Sequence, residues 1–131
     1  KPCASCGPCR KVLENNHPDV ITVEDPEHKN VAVKLIREYR ADVFVMPNES
    51  DRKVYVFPQD MGPEGQNALL KVLEEPPAYA LFLILTDNAE KLLPTVRSRC
   101  TGLTMQSLTE PELRSALARE FPEASPETGR I

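Results

Sequence analysis

A helix-forming segment that stops at two consecutive prolines and is followed by an apolar run restricts the fold of this sequence more than any other feature. Residues 67–77 read N-A-L-L-K-V-L-E-E-P-P, with Leu69, Leu70 and Leu73 at helical spacing. Pro63 suits the first turn of this helix, and proline cannot continue it beyond residue 75. Residues 81–85 are all apolar, which predicts a strand covered on both faces directly after the helix.

Strand and helix patterns alternate along the rest of the chain. A β-branched run at residues 20–23 predicts the first strand, and residues 54–57 predict a central strand because their apolar run does not alternate. Asn30 is predicted to cap the helix between these strands. The apolar face of that helix consists of Val31, Leu35, Ile36 and Tyr39. Residues 102–105 predict an edge strand.

Two further helical signals complete the pattern. Residues 92–94 predict a short helical turn, and Thr109 with Glu112 forms a capping-box signature. The helix that follows is predicted to carry Leu113, Leu117 and Phe121 on one side. Such alternation predicts an α/β fold in which a parallel sheet has helices on both faces.

Length and charge exclude some classes of protein. A chain of 131 residues suffices for about one domain, and no run approaches the roughly 20 apolar residues of a membrane helix. Its net charge of −4 argues against a domain whose main role is to bind DNA directly, because such domains need positive charge to bind the phosphate backbone. Because the chain opens at Lys1 without a leader pattern, we expect a piece of a longer cytoplasmic protein.

Cys3, Cys6 and Cys9 form a C-x-x-C-x-x-C pattern, which in a reducing compartment favours metal or redox chemistry. Three thiolates can occupy three corners of a tetrahedral zinc site, and such a sulfur-rich site is structural. The fourth ligand would be His17 or a cysteine that precedes Lys1. We therefore favour zinc over idle thiols.

Two other interpretations of the cysteines fit less well. An iron–sulfur cluster would require a further cysteine four residues after Cys9, where Leu13 stands. A thioredoxin-type redox pair would require a strand before a single C-x-x-C motif.

Ser98, Arg99 and Cys100 form an S-R-C motif where a connection should reach the surface. An isolated loop arginine is usually only solvated. The preceding L-E-E-P-P helix and apolar strand instead favour an arginine that is supplied to the nucleotide of a neighbouring subunit, where it can raise the rate of phosphoryl transfer about 10³-fold or more. Arg99 is the candidate catalytic residue, and Ser98 and Cys100 are its motif neighbours.

The machinery for hydrolysing ATP within this chain is missing from its sequence. No G-x-x-x-x-G-K loop occurs, and the strand at residues 54–57 is followed by Pro58 and Gln59 rather than by two carboxylates. Asp60 is interpreted as a turn or capping residue, and residues 86–88 as a turn that ends a strand rather than as a γ-phosphate sensor. His17 and His28 are expected to be solvated.

Adjacent Glu74 and Glu75 could suggest a paired-carboxylate acid–base site. Because neighbouring residues at a helix end point apart, a solvated helix end is the favoured interpretation.

Taken together, the cysteine pattern, residues 53–57, the N-A-L-L-K-V-L-E-E-P-P block and the segment T-D-N-A-E-K-L-L-P-T-V-R-S-R-C resemble the bacterial DNA polymerase III clamp-loader subunits. The resemblance implies an AAA+ (P-loop NTPase-like) three-layer domain, present in part, in a five-subunit ring that loads the sliding clamp on primed DNA. It implies gamma/tau and delta subunits as partners, with ATP held only on a neighbouring subunit. Arg99 becomes an arginine finger acting in trans, and Cys3, Cys6 and Cys9 match the last three of four zinc cysteines.

The resemblance also divides the chain. Residues 1–19 would be an incomplete zinc knuckle, residues 20–107 the C-terminal part of the AAA+ core, and residues 108–131 the start of a helical lid, with Gly129 and Arg130 resembling a pair that opens a later helix.

The pair Pro58 and Gln59 favours a family member that does not hydrolyse ATP and belongs to the polymerase holoenzyme without being catalytic alone. A piece of the ATP-hydrolysing gamma/tau subunit is the alternative, and a zinc-knuckle interaction module without an ATPase partner is a third.

Overall fold

The computed structural model describes residues 2–122, so the predictions on Gly129, Arg130 and the rest of residues 123–131 lie outside it. Its contacts divide the chain into two compact units, Lys1–Thr101 and Gly102–Ile131. The domain boundaries given above stay predictions. None of the helices within residues 2–122 has the length and apolar character that a membrane crossing requires.

The first unit is built on a parallel sheet of three strands in the order β1-β2-β3. These strands are β1 (Val20–Thr22), β2 (Lys53–Phe57) and β3 (Ala80–Ile84). Val54 pairs with Val20 on one side and with Leu81 on the other, so β2 is the central strand, as predicted. This is the α/β class expected from the alternating sequence pattern.

Four helices and a short 3₁₀ turn accompany the sheet. They are α1 (Gly7–Leu13), α2 (Val33–Asp42), α3 (Pro63–Glu74), the 3₁₀ turn (Ala89–Lys91) and α4 (Pro94–Arg97). Helix α3 begins at Pro63 and ends before the two prolines, as predicted. The helical turn expected at residues 92–94 does not include Leu92 and Leu93. The 3₁₀ turn ends before them and α4 begins after them, because Leu93 is the non-helical N-cap of α4.

Helices α2 and α3 cover the same face of the sheet and pack against each other. Successive strands are added in one direction, and right-handed crossovers then place both connecting helices on one side. Tyr55 and Phe57 point into this layer and are almost fully buried, and the ring of Tyr55 stacks on Phe82 at 5.6 Å between centroids. Leu81 and Leu83 alternate with Phe82 and remain about 40% exposed, so the prediction that this strand is covered on both faces is wrong for the described residues.

The predicted cap of α2 is also wrong. Ala32, rather than Asn30, is the N-cap residue, because its carbonyl accepts the first helical hydrogen bond, from the Ile36 N–H at 3.3 Å. Its own N–H donates to the Asp25 carboxylate at 3.1 Å. Val31 lies before the helix in a parallel bridge with Met61. Its side chain is buried, as the apolar pattern predicted.

The edge strand predicted at residues 102–105 is absent from the described chain. Leu103 and Met105 are 85% and 91% exposed, and residues 102–105 are not among the three strands of the described sheet. Apolar residues alone do not make a strand, since a strand needs a hydrogen-bonded neighbour.

The second unit contains α5 (Glu110–Glu120), which begins at the predicted capping box. The Glu112 carboxylate accepts hydrogen bonds from the Thr109 N–H at 2.9 Å and the Thr109 hydroxyl at 2.7 Å, and these bonds lower the pKa of Glu112. Leu113 and Leu117 are half-buried, as expected for one face of the helix. Phe121 is 61% exposed and lies beyond the end of the helix, so it is not buried with them.

Candidate functional site

The structure brings the three N-terminal cysteines together. The Sγ atoms of Cys3, Cys6 and Cys9 all lie within 4.8 Å of one another, and those of Cys3 and Cys9 are 3.9 Å apart. Four sulfurs at the usual Zn–S distance of about 2.3 Å would be about 3.8 Å apart at the corners of a tetrahedron. The spacing and the thiol chemistry therefore fit three ligands of one zinc ion.

Local backbone geometry produces this cluster. Ala4 adopts a left-handed conformation with φ of 58°, which turns the chain back so that the Cys6 N–H donates to the Cys3 Sγ at 3.3 Å. N–H groups of Ser5 and Cys6 lower the pKa of Cys3 to about 6, which favours the thiolate that a metal requires. The Cys9 N–H lowers the pKa of Cys6, but the neighbouring thiols outweigh it and the net shift is upward.

His17 does not complete the cluster, and the expectation that it is solvated is wrong. It is 7% exposed, its Nδ1 accepts the Asp19 N–H at 3.1 Å, and its Nε2 lies 3.4 Å from the Ser50 hydroxyl. Both ring nitrogens are thus engaged elsewhere. Within residues 2–122 the candidate metal cluster contains the three cysteines only.

His28 is exposed, as expected, but it is not isolated. Its Nδ1 lies 2.9 Å from an oxygen of the Asp25 carboxylate. This contact is the main reason why the pKa of His28 is raised and that of Asp25 is lowered.

Arg99 lies on the surface immediately after α4. Its side chain is 49% exposed, and its Nη2 is 3.4 Å from a carboxylate oxygen of Glu74. By contrast, Arg97 forms a shorter ion pair with Glu90 at 2.8 Å. Of the two arginines, Arg99 is held more loosely and keeps more of its guanidinium available.

The neighbours of Arg99 in the S-R-C motif have different roles. Ser98 is the C-cap of α4, and its hydroxyl donates to the Thr95 carbonyl at 2.9 Å. Cys100 is exposed, and partial desolvation raises the pKa of its thiol. Within residues 2–122, no hydrogen bond or ion pair joins either side chain to another candidate site residue, and none joins the S-R-C motif to the cysteine cluster.

Gln66 fixes the segment that leads to Arg99, and the sequence analysis missed it. This side chain is 2% exposed, donates to the carbonyls of Met61 at 2.9 Å and Lys91 at 3.0 Å, and accepts the Leu93 N–H at 2.6 Å. Because Leu93 caps α4, Gln66 sets where α4 begins. The sequence does contain a signal for this role: Gln66 lies three positions before Leu69, which places a polar side chain on the apolar face of α3 and indicates a buried hydrogen-bonding residue.

The end of β2 lacks free carboxylates. Gln59 accepts the Asp25 N–H at 2.8 Å and donates to the carbonyls of Asp25, His28 and Lys29 at 2.6 to 3.1 Å. Asp60 forms an ion pair with Lys91 at 3.0 Å. The strand end is therefore occupied by a structural amide and a paired carboxylate.

Two smaller interpretations concern strand and helix ends. The Thr86 hydroxyl donates to the Asn88 carbonyl at 2.9 Å, and the Asn88 side chain accepts the Glu90 N–H, which is the turn expected at residues 86–88. Glu74 and Glu75 are both exposed at the end of α3.

The arrangement of β1, α2, β2, α3 and β3 is similar to a solved structure, that of a DNA polymerase III gamma subunit-related protein from Thermotoga maritima. The TM-score is 0.64 at 28% identity, and the match covers 86% of this chain and 42% of that one. The described part of the chain is thus a portion of an AAA+ α/β domain.

A family model described as DNA polymerase III, delta subunit, matches residues 1–109. The chain belongs to this family of DNA polymerase III clamp-loader subunits. It is 29% identical to the delta' subunit of Bacillus subtilis, over 100% of this chain and 40% of that protein. It is 33% identical to the gamma/tau subunit of Mycobacterium tuberculosis, over 90% of this chain and 21% of that protein. The delta' subunit of Yersinia pestis is 36% identical, with 76% of this chain and 30% of that protein covered. The chain therefore spans less than half the length of these relatives.

Proposed function

We propose that this chain is part of a delta-prime-type clamp-loader subunit, which helps to load the sliding clamp on primed DNA and does not hydrolyse ATP itself. Its partners are the gamma/tau and delta subunits, and it meets the clamp and the primed DNA as part of that complex. ATP is bound by a neighbouring subunit, and Arg99 is supplied to its γ-phosphate in trans.

The loose hold on Arg99 is the observation that carries this proposal. The guanidinium is half exposed and, among residues 2–122, makes one long polar contact at 3.4 Å; the backbone that carries it is held by α4 and Gln66. A cation that is presented on a rigid support and is weakly paired can exchange its partner for a phosphate at little cost. In the transition state it stabilises the charge that develops on the transferred phosphoryl group.

The end of β2 supports the absence of hydrolysis by this chain. The Gln59 amide provides no carboxylate for magnesium, and its hydrogen bonds to the Asp25 loop occupy it fully. Asp60 is neutralised by Lys91, which in turn pairs with Asp87 at 2.8 Å.

Zinc bound by Cys3, Cys6 and Cys9 is the second part of the proposal. The ion would supply a structural cross-link at the start of α1, whose Lys11 forms an ion pair with Glu49 at 2.6 Å. A structural zinc in this place would fix the turn of residues 3–9 from which α1 begins, and the Lys11–Glu49 ion pair connects that helix to the loop that precedes β2.

The arginine finger is tested in the full-length subunit, assembled with its partners so that the nucleotide site facing this chain is the only one able to hydrolyse ATP. Arg99→Ala should lower the rate about 10³-fold in the presence of clamp and primed DNA. Arg97→Ala is the matched control, because it removes the same charge two residues away and should leave the rate within a few-fold of the wild type. An unchanged rate for Arg99→Ala would show that Arg99 is not an arginine finger.

A gamma/tau-type ATPase subunit is the second candidate, because the chain is 33% identical to the gamma/tau subunit of Mycobacterium tuberculosis and 29% identical to the delta' subunit of Bacillus subtilis. The two candidates differ in whether the full-length protein alone hydrolyses ATP. Turnover by the isolated full-length protein, lost on substitution of a phosphate-loop lysine, would favour the gamma/tau assignment.

A further inference from the structure

The two motifs that identify the family touch each other in the structure. Glu74 is the last residue of α3 and belongs to L-E-E-P-P, and Arg99 belongs to S-R-C. Although 25 residues separate them, the Arg99 Nη2 lies 3.4 Å from the Glu74 Oε1. The proposed function uses only Arg99, so the role of the glutamate is left open.

The backbone that carries Arg99 is fixed, but its side chain is not. Val96 of α4 is fully buried, and the Arg99 N–H donates to the Val96 carbonyl at 3.0 Å. Gln66 anchors the other end of α4 through the Leu93 N–H. An arginine side chain has many rotamers, so a fixed backbone alone does not aim the guanidinium.

Glu74 supplies a direction without trapping the cation. It accepts from one terminal nitrogen only, and the rest of the guanidinium has no partner within residues 2–122. Both side chains are nearly half exposed, at 49% and 45%, which makes the pair weak and easily broken. The partial negative charge at the C-terminal end of α3 attracts the cation in the same direction.

We propose that Glu74 is a positioning residue for Arg99: it holds the guanidinium over the end of α3, so that less conformational freedom is lost when the cation meets the neighbour's γ-phosphate. This inference rests on the proposed function of Arg99.

Glu75 provides a matched control within the same motif. It has the same charge, is exposed, and stands at the C-cap of α3, where the backbone has left the helical conformation with φ of −134° and ψ of 67°. No side-chain hydrogen bond or ion pair joins it to another of the described residues. Removing its charge tests the general electrostatic effect without touching Arg99.

The test compares Glu74→Gln and Glu75→Gln in the same assembled complex, with a single hydrolysing site that faces this chain. We expect Glu74→Gln to lower kcat about two- to fivefold, which is what an exposed ion pair can supply, and to leave the KM for ATP unchanged. Glu75→Gln should retain the wild-type kcat. In an Arg99→Ala background the Glu74→Gln effect should vanish, because its target is gone.

The outcomes separate this inference from the proposed function. If Arg99→Ala lowers kcat but Glu74→Gln retains or raises it, the role of Glu74 is overturned and the arginine finger stands. An equal loss in the two glutamate variants, or a loss that persists without Arg99, overturns it as well. If Arg99→Ala retains the wild-type kcat, the finger itself is refuted, and the role of Glu74 falls with it.

Discussion

Replacing Gln66 by leucine should loosen the segment that presents Arg99 while leaving most of the molecule intact. The side chain is buried and makes three hydrogen bonds, to the carbonyls of Met61 and Lys91 and to the Leu93 N–H, at 2.6 to 3.0 Å. Leucine has a similar volume and can make none of them, so the three backbone groups lose their partner together.

The size of the effect follows from these three bonds. Each contributes about 1 kcal/mol net, and a backbone group left without a partner costs more, which gives about 3 kcal/mol for the substitution. Two of the three bonds, those to Lys91 and Leu93, reach the segment around Leu93 and account for about 2 kcal/mol. Since 1.4 kcal/mol corresponds to a tenfold change in an equilibrium constant, opening of that segment should become about 30-fold more frequent.

Amide hydrogen exchange in the full-length subunit measures this opening directly. Protection should fall at residues 91–97 and stay at the wild-type level in β2. Gln59→Leu is the matched control, because it removes a side-chain amide that also makes several hydrogen bonds, in this case to backbone groups of residues 25–29. If exchange at residues 91–97 is unchanged in Gln66→Leu, or changes equally in Gln59→Leu, the assignment of Gln66 as the anchor of α4 is wrong.

Two further predictions concern pH and metal. The pKa of His28 is raised above 6.5 by Asp25, and that of Asp25 is lowered below 3.8 by His28. The stabilisation from His28 is complete below pH 6.5 and lost as pH rises through its raised pKa, whereas that from Asp25 is lost as pH falls through its lowered pKa. The difference in Tm between wild type and His28→Asn should therefore peak between these limits, and a difference that does not vary with pH would contradict the pairing. Elemental analysis of the full-length subunit should find zinc retained in His17→Ala and lost in Cys6→Ser; loss in both variants would make His17 a ligand.

Features encoded by nearby residues could be predicted from the sequence. The capping box at Thr109 and Glu112 formed because its two partners are three residues apart. The end of α3 was predictable because Pro76 excludes any other outcome. The central position of β2 followed from its unbroken apolar run, since a parallel strand with a neighbour on each side is buried.

Features that depend on distant partners could not be predicted in this way. The ring of His17 meets the hydroxyl of Ser50, which lies 33 residues away in the sequence, and Gln66 is an anchor because it accepts the N–H of Leu93, 27 residues away. Residues 102–105 have strand-like composition, but composition does not supply the hydrogen-bonded neighbour that a strand needs, and they are not part of the described sheet. The contact between Glu74 and Arg99 joins two motifs that were each recognised, but their proximity is a tertiary property.

The most direct measurement of the central claim is the structure of the assembled clamp loader with a transition-state analogue of ATP hydrolysis bound by the neighbouring subunit. The account predicts that the Arg99 guanidinium lies within about 3 Å of the oxygens that represent the γ-phosphate, with this chain's own β2 end free of nucleotide. An Arg99 side chain that faces away from every bound nucleotide, or a nucleotide held beside Gln59 of this chain, would contradict it.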